Sequence, residues 1–322
     1  MLLFMVIIAS IHFGTYKIPI PDVFNVIAYH LGFGLRPLLK VNIIVWEVRL
    51  PRTLMAAAVG MALSVSGTVF QGLFRNPLVD PYILGVSSGA ACGAAISIVL
   101  AWSILSTQFT AFIFAMLAMG IAYALATNKK ETPLINLIIS GIIVSSIFTA
   151  ALNFLKITAG DKQLREITFW LMGGFYTADW KSVKPLLPLI IIGILIVWSL
   201  GWKLNVLTMG DQEAKSMGVS VGILKLILIS TATFITAISV ATVGIIAWVG
   251  LMVPHMARMT IGPDHRYLIP LSALVGGIFL VVCDTLARTL IMGEIPISII
   301  TSILGSPYLI FLLRTNRQVY FE

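Results

Sequence analysis

Arg49 and Arg52 flank Pro51 in the segment RLPR (49–52), just ahead of a long apolar run, and Arg288 follows Asp284 by one helical turn near the end of another. A guanidinium keeps its charge at any physiological pH and presents a planar fork of donors, so arginines at the ends of apolar runs suit bidentate capture of carboxylates. Two arrangements satisfy that chemistry. In one, an acidic partner surface docks on all three; in the other the groups are settled locally, Arg288 with Asp284 at i,i+4 and the rest snorkelling to lipid headgroups. Residue type and spacing leave both open.

A second constellation lies between Lys203 and Lys225, where a short polar insert separates two apolar runs. The stretch 204–222 predicts two very short helices in tandem: Asp211 as cap of the first, Ala214 and Met217 as a small apolar face, Gly218 as a left-handed stop, and Ser220 as cap of a second turn. Thr208, Gly210, Glu213 and Val219 complete the knuckle. A compact, partly apolar element of this kind suits the groove of another protein.

The remaining candidates have plainer chemistry. Ser140, Gly141, Ser145, Ser146, Thr149 and Asn153 recur along one apolar run, where they can line a wet pathway or bond their own helix backbone. Gly85, Gly89 and Gly93, with Ser87, Ser88 and Ala90, form a small-residue surface that permits close helix contact. His255 and His265 lack a second ligand at helical spacing, so no metal site is predicted. Cys92 and Cys283 have no CxxC partner and read as small apolar fillers. No GxxxxGK[ST] segment occurs, so the chain has no P-loop with which to cradle nucleotide phosphates.

All of these residues must be positioned by apolar helices. The 322 residues are 59% hydrophobic and 11% charged, with a mean hydropathy of +1.02, far from the composition of a soluble domain. A spanning helix needs about 20 apolar residues, and ten candidates stand near 1–13, 53–73, 83–101, 109–127, 133–155, 185–202, 226–247, 249–261, 268–291 and 295–313. The first lacks a basic n-region and a cleavage site and reads as a span, not a signal peptide. The eighth is short and broken by Pro254, so it must lean on other helices. The polar loop Asn128-Lys129-Lys130 and the terminal Arg314 and Arg317 fall on one side of a ten-span chain, with the 203–225 insert. Positive-inside bias makes that side cytoplasmic, although the basic residues divide almost evenly between the faces. An all-α, multi-pass protein with both termini cytoplasmic is the expectation.

Function classes narrow accordingly. An ion-coupled carrier, the main alternative, places ionisable groups within its spans; here those are Asp284 and Arg288, close enough to neutralise each other. A channel would show a charged ring or a filter-like backbone stretch, and neither is evident. The net charge of +8 is dispersed among loops and forms no nucleic-acid stripe.

The segments RLPR (49–52), FRNPLVDP (74–81), LGVSSGA (84–90), FWLMGGFYTADW (169–180), LNVLTMGDQEAKSMGV (204–219), VGLMVPHMAR (249–258), GPDHR (262–266), EIPIS (294–298) and LGSP (304–307) resemble, in order and over nearly the whole chain, the signatures of the BtuC/FecCD family. These are permease subunits of type II ABC importers for ferric siderophores, haem, cobalamin and, in some members, molybdate or tungstate. The resemblance implies a single permease domain over 1–322, ten spanning helices and a homodimer with the pathway on its two-fold axis. It assigns Arg49, Arg52 and Arg288 to docking glutamates of a periplasmic substrate-binding protein. It makes the region from Thr208 to Gly222 the coupling element received by a separate ATPase subunit, which holds ATP and Mg. Asn76 falls where the family narrows its cytoplasmic gate, and the fifth span borders its pathway. A cell inner membrane location and a non-enzymatic role for this chain follow from the same resemblance.

Overall fold

The computed structural model describes residues 1–14, 16–127, 132–290 and 293–315. Asn128, Lys129, Lys130 and Arg317, which anchor the predicted orientation, lie outside the described residues. Helices make up the ordered structure, and no strand occurs among the described residues.

All ten apolar segments are helical. Six are long and apolar enough to cross a membrane alone: α3 (Leu39–Phe74), α5 (Ile104–Ala126), α6 (Leu134–Thr158), α8 (Trp180–Ser199), α11 (Val221–Val243) and α13 (His265–Ala287). The other four are α1 (Leu2–His12), α4 (Val86–Val99), α12 (Val249–Ile261) and α14 (Ile297–Thr315). Four further helices complete the fold: α2 (Ile20–His30), α7 (Asp161–Met172), α9 (Gly201–Met209) and α10 (Asp211–Ser216).

The bundle is built around α3. In its most apolar window 89% of residues are buried, against 22% in α6 and 28% in α8, so α3 is the axis and the others face outward. Its 36 residues would extend about 54 Å at 1.5 Å per residue, well beyond a hydrocarbon core. The surplus is at the start, where Ile43–Arg49 is wound as a π-helix. Pro51 supplies no N–H and its ring crowds the carbonyl four residues back, so the wider turn just before it relieves that clash.

Two glycine crossings bring neighbours onto this axis. A Cβ on Gly60 would run into the Gly276 carbonyl of α13, and one on Gly67 into the Gly250 carbonyl of α12. Backbones therefore touch at both points, as small residues allow in membranes, and the Ser64 hydroxyl donates to Ser272 O at 2.8 Å beside the first crossing. The expected small-residue surface on α4 behaves in the same way, Gly89 and Gly93 resting on α5 carbonyls.

The seventh span stops earlier than its hydropathy suggests. Gly244, at φ +79°, ends α11, and 244–248 form an irregular link to α12. Cys92 and Cys283 are both buried free thiols.

Candidate functional site

The charged residues singled out in the sequence gather at the two ends of α13. Its 23 residues separate those ends by about 34 Å.

At one end, the turn between α1 and α2 wraps the arginine side chains. Arg49 donates through Nη1 to Ile11 O at 2.7 Å and His12 O at 3.2 Å, and through Nη2 to Tyr16 O at 2.5 Å. Arg52 forks onto Asp284, Nε to Oδ1 at 2.9 Å and Nη2 to Oδ1 at 2.8 Å, and reaches Glu294 Oε1 with Nη1 at 2.6 Å. Arg288 lies 3.4 Å from Asp284 Oδ2 and donates to Phe13 O at 2.9 Å, Ser10 Oγ at 2.8 Å and Ser10 O.

The predicted Asp284–Arg288 pair is present, but Asp284 also serves Arg52 from the far side. Asp284 is fully buried, and Arg49 and Arg52 are 6% and 8% exposed. The structure thus brings the three arginines together and engages each with acceptors of the same chain, not with free space or lipid. Glu294, missed by sequence reasoning because it lies in a short loop 242 residues from Arg52, is the exposed member of the cluster, its side chain 48% accessible. Arg52 and Glu294 sit at the wall of a cleft of about 890 Å³ bounded by α7 and the 294–297 segment, with Arg165, Trp170 and Tyr176 among its lining.

A second groove, of about 610 Å³, runs along α6 and is lined by Tyr82, Ile83, Ser145, Ser146, Thr149 and Asn153. Four of the predicted pathway residues are therefore on one open, uncharged surface, and Ser146 satisfies its hydroxyl by donating to Ile142 O at 2.9 Å. Ser140 is not among them. It is buried, beside Gly141, where the backbone of 83–84 leaves no room for a side chain. Asn76 is exposed in the turn after α3, its Oδ1 accepting from the Leu78 N–H at 2.9 Å.

At the opposite end of α13 lies the polar insert. It does contain two short helices, but their bounds differ from the prediction. The first, α9, begins at Gly201, with one residue between it and the end of α8, and Gly210 (φ +145°, ψ +155°) turns the chain into α10. Ser220, expected to cap a second short turn, instead begins α11, and caps it with no side-chain bond. Gly218 is left-handed as expected, at φ +78°.

Asp211 does not cap α10. Its carboxylate accepts from Lys225 Nζ at 2.6 Å, because a buried ammonium on α11 competes for it. Ala214 is fully buried while Met217 is half exposed, so the apolar face is narrower than predicted. Val219 N donates to Ala214 O at 3.0 Å, closing the turn past Gly218. Thr208 bonds back to Asn205 O at 2.7 Å, and Glu213 is exposed with its carboxylate folded back over Gly210.

Asn205, also unforeseen, ties the insert to α13. Its Nδ2 donates to Asp264 Oδ1 at 2.7 Å and its Oδ1 accepts from His265 N at 2.9 Å. Asp264 caps α13 and takes a bidentate grip from Arg266, whose hydrogen bonds hold the Asp264 carboxyl well below the usual carboxylate range. Asn205 and Asp264 are 59 residues apart, so their pairing left no local pattern. Among the described residues no cluster of three metal-ligating side chains occurs.

A sequence profile described as the FecCD transport family matches residues 2–315. The chain is 40% identical to the cobalamin import system permease protein BtuC of Halobacterium salinarum, over 97% of this chain and 85% of that protein. It is 36% identical to the molybdate import system permease protein MolB of Haemophilus influenzae, over 95% and 91%, and 40% identical to the hemin transport system permease protein HmuU of Yersinia pestis, over 85% and 84%. A solved structure described as an inward-facing conformation of a metal-chelate type ABC transporter superposes with a TM-score of 0.88 at 33% identity, covering 98% of this chain and 97% of that one.

Proposed function

The chain belongs to the FecCD transport family and is an ABC-transporter permease, and from that premise we propose that it forms a homodimer that imports a bulky metal chelate such as an iron–siderophore, haem or cobalamin. The uncharged groove on α6 carries the choice of cargo. Its hydroxyl and amide groups offer neither carboxylates to strip a bare cation nor cations to hold a small oxyanion, so they suit a large complex passing without tight capture. An ion-coupled carrier is disfavoured on the same ground: the ionisable groups of α13 are consumed by partners within the chain.

Two ATPase subunits, each binding ATP and Mg, engage the α9–α10 insert on the cytoplasmic side of the inner membrane, with both termini on that side. A substrate-binding protein docks at the arginine end. In this conformation Arg49 and Arg288 are held by backbone carbonyls and Arg52 by two carboxylates. A docking carboxylate therefore competes with the exposed Glu294 for Arg52, and the cluster acts as a preorganised floor and not as three free cations.

The insert makes the partnership testable. The permease purified with its ATPase is expected to lose that partner when residues 209–218 are replaced by a Gly/Ser linker together with Lys225→Met, which leaves no buried ammonium unpaired, while the solubilised bundle keeps its thermal stability. Retention of the ATPase by that variant would overturn the assignment. The cargo follows from calorimetry on the cognate binding protein: nanomolar affinity for a chelate supports the reading, and affinity for molybdate alone rejects it.

A further inference from the structure

Lys225 is the only charged residue of α11. It is 3% exposed, and its ammonium hydrogen-bonds Asp211 Oδ2 at 2.6 Å. A buried ammonium is costly without a close counter-charge, so the position of Asp211 is fixed by a group on another helix. Of the six residues of α10 only Ala214 is buried, while Gln212, Glu213, Lys215 and Ser216 are exposed.

The far end of α11 is equally engaged. The Val243 carbonyl accepts from the Gly174 N–H at 2.8 Å, and Gly244 packs against the Trp170 carbonyl with no room for a Cβ. Trp170 belongs to α7, the helix that borders the large cleft. One continuous helix thus links α10 at one end of the bundle to α7 at the other.

We propose that Lys225 is the positioning residue that couples α10 to α11, so that a displacement of the insert is carried along α11 to α7 and the cleft. This rests on the reading of the insert as the ATPase contact. The ion pair sets the orientation of α10, and a six-residue helix that buries a single side chain swivels when the pair is removed. Asn205 fixes the neighbouring α9 to α13 independently, so the loss is confined to α10 and does not release the whole insert.

The test uses Lys225→Met, Lys225→Arg and the double variant Lys225→Met with Asp211→Asn, which leaves no buried unpaired charge and so guards against a folding defect. Hydrogen exchange on the purified permease reads the pair directly: amides of Asp211–Ser216 should exchange roughly tenfold faster or more in Lys225→Met and in the double variant, and near the wild-type rate in Lys225→Arg. In proteoliposomes with the ATPase and binding protein, both methionine variants should still hydrolyse ATP but import several-fold less substrate per ATP, with Lys225→Arg restored. Unchanged exchange in the methionine variants, or faster exchange with wild-type import per ATP, would overturn the proposal. Absence of ATP-driven import in the wild type would instead sink the transport reading, and the exchange result would still judge the pair.

Discussion

The two ends of α13 use charge in opposite ways. At the arginine end, one fully buried carboxylate is shared by two arginines, and a third is wrapped by backbone carbonyls. At the insert end, Asp264 and Asp211 each hold one element in place while Gln212 and Met217 remain exposed. The first arrangement is a lock with a single exposed member, Glu294. The second is a mount with an exposed outer face. Similar residue types therefore serve stability at one end and presentation at the other, and what separates them is the burial of the carboxylate, complete for Asp284 and partial for Asp211 and Asp264.

Removing the shared carboxylate should give the largest effect. Asp284→Ala leaves Arg288 buried without a counter-ion, which should cost about 3–5 kcal/mol, seen as a large drop in thermal stability in detergent. Adding Arg288→Ala should recover part of that loss. Equal stability of Asp284→Ala and wild type would break the distinction between lock and mount.

Between the ends, Gly67→Ala tests the axis itself. Its methyl meets the Gly250 carbonyl, and overpacking of this kind costs about 1–3 kcal/mol, again as a lowered melting temperature. At the insert end, Gly218→Val meets no neighbour within 4 Å, so only the left-handed backbone objects, by about 1 kcal/mol. Thermal stability should stay close to wild type while import falls. Normal assembly together with normal import would remove Gly218 from the coupling element.

Glu294→Gln should change stability by under about 1 kcal/mol, because half-exposed ion pairs contribute little. It should tighten association of the binding protein at low salt, since Arg52 loses its internal competitor, and the gain should shrink as salt screens the site. Weaker association would mean that Glu294 itself contacts the partner. The smallest effect concerns the α13 cap. The Asp264 carboxyl, held low chiefly by its Arg266 hydrogen bonds, contributes its share above the ordinary carboxylate pKa of about 3.9 and loses it only as pH falls through the depressed folded value. Exchange of the first α13 amides should therefore show no added acceleration from loss of this cap between pH 7 and pH 5.

Much of this was legible in the sequence because apolar length is a local signal: every predicted span is helical, and the Gly218 turn and the hydroxyl-lined face of α6 are where the pattern placed them. Amphipathic α2 and α7 lie outside the ten apolar runs, since neither is apolar enough to register as a span, although Pro19–Asp22 and the Gly160–Gln163 capping pair mark their starts. Asp211 looked like a cap because local spacing cannot show a lysine 14 residues on. The engagement of Arg49 by 11–16 and of Arg52 by Glu294 was equally hidden, for such contacts depend on how α1, α3 and α13 converge and leave no periodic trace.

The account rests most heavily on an outside motor acting through the α9–α10 mount. The direct measurement is uptake of the chelate into proteoliposomes holding the permease and its ATPase, with binding protein outside and ATP enclosed at the insert side, in the presence and absence of a protonophore. The account predicts uptake that requires ATP and survives collapse of the proton gradient. Uptake driven by a pH or sodium gradient without ATP would contradict it.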